Sequence, residues 1–191
     1  SGIVLTNEVE LDEMISYLAV GDGAVWCMGE AHVYRFEEIS LVCSFEFEIG
    51  PEPLPGAITV HANELYIAFR GDQLQPYTIK VYSFRGQLIR SFPVPTSSTQ
   101  PDEREPLELC SARDRLYLSE SVPWRMVPAI RSQIFVLNAE GALLEKILSG
   151  DREHFPYMCV FDDKLLLTKA TDTQNDFDER APNVVVALKG L

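Results

Sequence analysis

The feature that most constrains this chain is a repeated pattern of short apolar strands. The clearest copy has two apolar strands within 57–69, separated by a polar turn, and two more over 78–84 and 87–92. Arg85 and Gly86 join the last two strands. Short apolar runs separated by tight polar turns are typical of antiparallel hairpins. This copy therefore predicts a four-stranded antiparallel sheet.

Three other segments repeat the pattern, over 14–48, 107–148 and 157–190. The second strands of the four copies align on residues that lie 40, 51 and 49 positions apart: Val25, Leu65, Leu116 and Leu165. A period of about 40–50 residues with four strands per repeat is typical of β-propeller blades. The sequence predicts an all-β fold, a four-bladed β-propeller or part of one. The domain spans 1–191, with blades near 14–48, 57–93, 107–148 and 157–190.

The first strand of each copy alternates between two kinds of side chain. One face carries the residues Ala19, Thr59, Cys110 and Cys159. The other face carries Leu18, Ile58, Leu109 and Met158 at the preceding positions. Because successive strand residues point to opposite faces, each set shares one face. We expect the smaller set to line the central channel, where the blades converge.

The second copy carries a family resemblance, in residues 54–60, 65–68, 79–82 and 86–92. These segments resemble the NHL repeat, and the likeness extends loosely over 14–190. The resemblance implies a five- or six-bladed propeller that binds proteins or RNA, and some relatives of the family are metal-dependent lyases. This chain departs from the family in having only four copies, the last without an outer strand.

Two explanations of the missing strand remain open. The apolar segment 2–6 belongs to no copy, and it is a candidate closing strand that joins the two ends of the ring. Alternatively, the propeller is completed by other sequence or by self-association with a second chain. Either arrangement would cover sheet edges that otherwise promote aggregation.

Charge and cysteine content narrow the choice of partner. The chain has 16 Lys and Arg against 29 Asp and Glu, which gives a net charge of −13. This charge repels nucleic acids and anionic membrane surfaces, and it favours a partner with a basic patch. The four cysteines are widely spaced, which predicts buried free thiols and a cytoplasmic location. No catalytic residue, metal site or cofactor is predicted.

The loops suggest where a partner binds. The long connections all leave the blades on one face, and the opposite turns are tight. In the loop over 119–131, three residue types enriched at protein interfaces lie adjacent: Trp124, Arg125 and Met126. A second candidate cluster on the same face contains Arg70, Gln75 and Tyr77. We predict a protein-interaction scaffold, unless Trp124 caps the core and Arg70 is a solvated surface charge.

Two alternatives come from other classes of function. A metal-dependent lyase or hydrolase would need its histidines to converge, yet His32 and His154 belong to the loop-rich face and His61 to the opposite one. An RNA-binding propeller would need a basic face with aromatic platforms. The candidate cations are instead interspersed with acids: Arg70, Lys80, Arg85, Arg90, Arg125 and Arg131.

Overall fold

The computed structural model describes residues 10–37, 43–50, 53–71, 77–94, 105–121, 133–148, 153–155, 157–161, 164–171 and 184–188. Within these ranges the regular structure consists of β-strands in four antiparallel sheets. No helix in the same ranges is long and apolar enough to span a membrane.

The sheets follow one another along the chain. The first contains β1 (Tyr17–Gly21), β2 (Ala24–Met28), β3 (His32–Glu37) and β4 (Cys43–Glu48). The second contains β5 (Pro55–His61), β6 (Glu64–Phe69), β7 (Thr78–Ser83) and β8 (Leu88–Pro93). The third contains β9 (Glu105–Ala112), β10 (Arg115–Ser121), β11 (Gln133–Asn138) and β12 (Leu143–Leu148). The fourth contains β13 (Glu153–His154), β14 (Met158–Phe161), β15 (Lys164–Thr171) and β16 (Val184–Leu188).

The connections between strands differ in length at the two ends of each sheet. In the first three sheets each strand pairs with the next, so the connections alternate between the two ends. One end, the tight-turn end, has two-residue turns such as Asp22-Gly23 and Ala62-Asn63, whose positive φ angles suit a tight hairpin. The other, the loop-rich end, has the longer connections over 70–77, 94–104 and 122–132.

Neighbouring sheets pack face to face through three apolar cores. Alternate residues of β6 enter different cores: Leu65 and Ile67 pack with the first sheet, whereas Tyr66 and Ala68 pack with the third. A third core joins the third and fourth sheets. This alternation is the period of two expected of a strand with a sheet on each side. Among the described residues, no corresponding core joins the fourth sheet to the first.

The first strands β1, β5, β9 and β14 show how the array ends. Leu18, Ile58, Leu109 and Met158 hold equivalent positions and are 65%, 5%, 6% and 8% exposed. The last three pack against the preceding sheet, whereas Leu18 and its neighbour Val20 stay exposed on what we call the leading face. On the fourth sheet, the face that points away from the third sheet is also exposed, and we call it the trailing face. It carries Tyr157 and Phe161, which are 66% and 71% exposed.

The smaller first-strand residues do not line a channel as predicted. Ala19 packs into the core between the first and second sheets, and Cys110 into the core between the third and fourth. Their side chains point toward the next sheet, because strand side chains project perpendicular to the sheet rather than toward its edge. Cys159 lies exposed on the trailing face.

The cysteine prediction is therefore half right. All four thiols are free, as expected, but Cys43 and Cys159 are exposed rather than buried. Cys43 begins the outer strand β4, and Cys159 faces the side where no further sheet packs. Cys27 and Cys110 are partly buried, and burial raises the pKa of Cys110 to about 12.

The fourth sheet is partial within the described ranges. Strand β15 pairs with β14 and β16, and the short β13 pairs with its far end. No strand pairs with the outer edge of β16 among the residues that the structure describes. The candidate closing strand 2–6 lies outside these residues, so ring closure stays a prediction.

Candidate functional site

A cavity of about 330 Å³ lies where the four sheets converge at the loop-rich end. It is formed by the beginnings of the four first strands. The described lining residues are Ser16, Tyr17, Leu18, Ala57, Ile58, Glu108, Leu109 and Met158. A concave site of this kind is the usual location of a binding function on a rigid scaffold.

Irregular backbone surrounds the mouth of this cavity. In β5, Pro55 pairs with Phe69 and Ala57 with Ala68, so Gly56 is an extra residue. In β9, the register shifts in the same way immediately before Glu108. Such bulges redirect the side chains beside them and are common next to functional sites. Two neighbouring sheets therefore change register at the edge of the cavity.

Glu108 is the one charged residue among those that the structure describes in the lining of the cavity. Its Oε2 accepts a hydrogen bond from the backbone N–H of Met158, which links the third sheet to the fourth. Its own backbone N–H donates to Ser119 Oγ at 3.1 Å, and Ser119 is buried. Burial raises the pKa of Glu108 above its ordinary value of 4.5, although the hydrogen bond from Met158 acts in the opposite direction.

A second polar cluster lies at the same end of the first sheet. Glu13 precedes β1, and its Oε2 accepts hydrogen bonds from the backbone N–H groups of Glu30 at 2.9 Å and Ala31 at 3.1 Å. The Tyr34 hydroxyl donates to Glu13 Oε1 at 3.1 Å, and His32 Nδ1 lies 3.1 Å from the same oxygen.

The contacts of Glu13 shift the pKa of two side chains in this cluster. Burial acts to raise the pKa of Glu13, but the hydrogen bonds and His32 outweigh it, so the net shift is downward. Burial, with the Glu13 carboxylate, raises the pKa of Tyr34 to about 12. Glu30 and Ala31 lie in the β2–β3 turn, whereas His32 and Tyr34 lie in β3, so Glu13 ties this turn to the strand that follows it and the cluster has a structural role.

Of the six predicted partner-binding residues, the structure describes two, Arg70 and Tyr77. Tyr77 is only 2% exposed and packs in the core between the second and third sheets, so its prediction as a surface contact is wrong. It begins the segment leading into β7, where its ring fills the interface between sheets. Arg70 is partly buried at the end of β6, and its backbone N–H donates to the Leu54 carbonyl at 2.8 Å. Trp124, Arg125, Met126 and Gln75 lie outside the described residues.

The three histidines occupy different places. His32 begins β3 at the loop-rich end, and His61 ends β5 at the tight-turn end. The backbone of His154 lies in β13, at the loop-rich end. Within the described part of the chain, no three metal-ligating side chains are grouped together.

At the tight-turn end, an ion pair connects neighbouring sheets. Arg90 donates to both carboxylate oxygens of Glu64, at 3.0 and 2.7 Å, and to the Tyr66 hydroxyl. It also donates to the carbonyl of Ala139, in the β11–β12 turn of the third blade, at 3.4 Å. These contacts fix the second sheet against the third, which is a structural role.

Sequence reasoning missed Glu108. In the repeat alignment it is equivalent to Tyr17 and Ala57, and it is the one acid at this position in the first three copies. An acid at a position that is otherwise uncharged could have marked Glu108 as a candidate site residue. It did not show that the position borders a cavity, because the cavity forms from four segments far apart in the chain.

Comparisons with known proteins support the fold. The structure is similar to Myxococcus xanthus glutaminyl cyclase, with a TM-score of 0.58 and 10% identity over 82% of this chain and 68% of that one. It resembles the computationally designed Ika4 protein, with a TM-score of 0.54 and 14% identity over 98% of both chains. It also resembles Kuenenia stuttgartiensis hydrazine synthase, with a TM-score of 0.54 and 12% identity over 97% of this chain and 66% of that one.

These structures are β-propellers. The chain has a propeller fold. The predicted all-β architecture of four-stranded antiparallel blades is thereby confirmed, with three full blades and a partial fourth. No protein-family model matches the chain, and no curated protein matches it in sequence. At 10–14% identity the structural likeness extends to the fold alone.

Proposed function

We propose that this propeller is a non-catalytic interaction module that binds a protein or peptide with a basic patch at its loop-rich end. The observation that carries the proposal is the cavity at that end, which has a single carboxylate, Glu108, among its described lining residues. The surrounding blades supply a rigid frame for a binding site at this end.

The size and charge of the site favour such a partner. A volume of about 330 Å³ lies at the lower end of the range for ligand pockets, and it suits one side chain of a larger partner. The net charge of −13 attracts cationic partners over a distance and increases their rate of encounter. The likeness of 54–92 to the NHL repeat supports the same proposal, because NHL propellers bind proteins.

The RNA alternative receives less support. Arg90 is engaged with Glu64, and the Lys80 ammonium lies 4.3 Å from the centroid of the Phe69 ring. Binding to phosphates would have to compete with these contacts.

The test is selection of peptides from a random library with the folded chain, followed by mapping of the selected peptides by backbone amide chemical shifts. We expect peptides rich in lysine or arginine that shift Leu18, Ile58 and Leu109 at the loop-rich end. The amides of the tight turns at Asp22 and Asn63 should stay unchanged. Failure to select any peptide, or shifts confined to the tight turns, would contradict the proposal.

A further inference from the structure

We propose that the central cavity is a lysine pocket: a lysine side chain of the partner enters it and pairs with Glu108. The inference rests on the proposed function and adds the chemistry of the contact.

The walls suit the stem of a lysine. Leu18, which is 65% exposed, contributes most of the aliphatic surface, and the largely buried Ile58, Leu109 and Met158 contribute smaller parts beside the polar surface of the cavity. A lysine side chain has four methylenes that bury well against such surface, and an ammonium that needs an acceptor at its tip. A wholly apolar residue would leave the Glu108 carboxylate without a cation, and an acidic residue would be repelled by it.

The state of the carboxylate favours lysine over arginine. Oε2 of Glu108 already accepts the Met158 N–H, whereas Oε1 has no hydrogen-bond donor among the described residues. A guanidinium pairs best with both oxygens of a carboxylate at once, whereas an ammonium is a point charge that needs only one. Because the Met158 N–H already engages one lone pair of Oε2, a two-point contact across both oxygens is the more hindered one, and a single contact at Oε1 suits the ammonium.

The carboxylate is also held in place before binding. Its backbone is fixed by Ser119 Oγ and by the register shift in β9, and its side chain by Met158. Preorganisation of this kind reduces the entropy lost when a partner binds. Burial disfavours the ionised carboxylate on its own, and an entering ammonium would relieve that cost.

The experiment uses three small probes: Nα-acetyl-lysine methylamide, its arginine analogue and its norleucine analogue. Binding to the whole chain is measured from the backbone amide shifts of Leu18, Ile58 and Leu109. We expect the lysine probe to shift these amides and to bind at least tenfold more tightly than norleucine and more tightly than arginine. Equal binding of lysine and norleucine, or no shift with lysine, would overturn the proposal.

Two variants test the role of the carboxylate. Glu108→Gln removes the charge but keeps the shape, and it should weaken the lysine probe at least tenfold. Glu145→Gln makes the same change of charge on the exposed outer strand β12 and should leave binding unchanged. Amide spectra of both variants show whether they fold as the parent does. Unchanged affinity in a folded Glu108→Gln protein would refute the pairing.

The library-selected peptides separate this inference from the proposed function. If those peptides still bind at the loop-rich end of Glu108→Gln with unchanged affinity, the interaction surface stands and the lysine pocket is wrong. If no peptide binds the parent chain at all, the proposed function itself fails. If the peptides lose affinity on Glu108→Gln and on lysine-to-norleucine substitution, both are supported.

Discussion

Leu18 and Leu109 form a matched pair that tests how the propeller ends in solution. They hold equivalent positions in β1 and β9, on the face of each strand that points away from the following blade. For Leu109 the preceding blade is the second sheet, and the residue is 6% exposed. For Leu18 no preceding sheet packs against it within the described residues, and it is 65% exposed. Truncating each to alanine therefore probes the same position with and without a neighbour.

The expected costs follow from these exposures. Removing a buried leucine side chain typically costs about 2–5 kcal/mol, because a cavity is left as well as lost burial. Leu109→Ala should fall in that range. Full burial of a leucine contributes about 1.5–3 kcal/mol, and only about a third of the Leu18 surface is removed from water. Leu18→Ala should therefore cost about 1 kcal/mol or less.

The assay is urea unfolding of the parent and the two variants, monitored by far-UV circular dichroism and by tryptophan fluorescence. The fully buried Trp26, stacked on Phe84 with ring centroids 5.0 Å apart, reports on the core between the first two sheets. A cost for Leu18→Ala equal to that of Leu109→Ala would refute an exposed leading face. Sedimentation would then distinguish closure within a monomer from coverage by a second copy.

Three further perturbations have defined outcomes. Arg90→Gln should cost about 1 kcal/mol in thermal unfolding at neutral pH, a value reduced because the ion pair is partly exposed. The Arg90 hydrogen bonds lower the pKa of Glu64 in the folded state. The stability that the pair contributes is therefore present above the pKa of Glu64 in the unfolded chain, and it is lost as pH falls through the lower pKa of the folded state. A stability difference between parent and variant that is unchanged at pH 2 would contradict the assignment. A thiol-reactive dye should label the exposed Cys159 well before Cys110, because burial raises the pKa of the Cys110 thiol to about 12. Equal labelling rates of the two thiols, measured by mass spectrometry, would argue against the burial of Cys110. Trp124→Ala should abolish capture of the library-selected peptides and leave the melting temperature intact, whereas loss of both would make its loop structural.

Local patterns were enough to predict most of the strands and tight turns that the structure describes, although β13 (Glu153–His154) lies before the predicted fourth copy 157–190. The alternation in β6 and the turn at Asn63 are encoded within a few residues, since both depend on strand period and hairpin geometry. The spacing of the four second strands then predicted the repeat, because each blade must bury its faces against the next. These features need no knowledge of distant contacts.

The tertiary structure alone decided which equivalent residues are buried and where the cavity lies. Leu18 and Leu109 have the same local pattern, and only the presence of a preceding sheet makes one buried and the other exposed. Tyr77 adjoins a long loop in sequence, yet it packs between two sheets. Glu108 became a candidate binding group only when the first strands of the three other sheets were found to line a cavity with it. Burial is a property of packed neighbours, whereas strand formation depends chiefly on adjacent residues and their period.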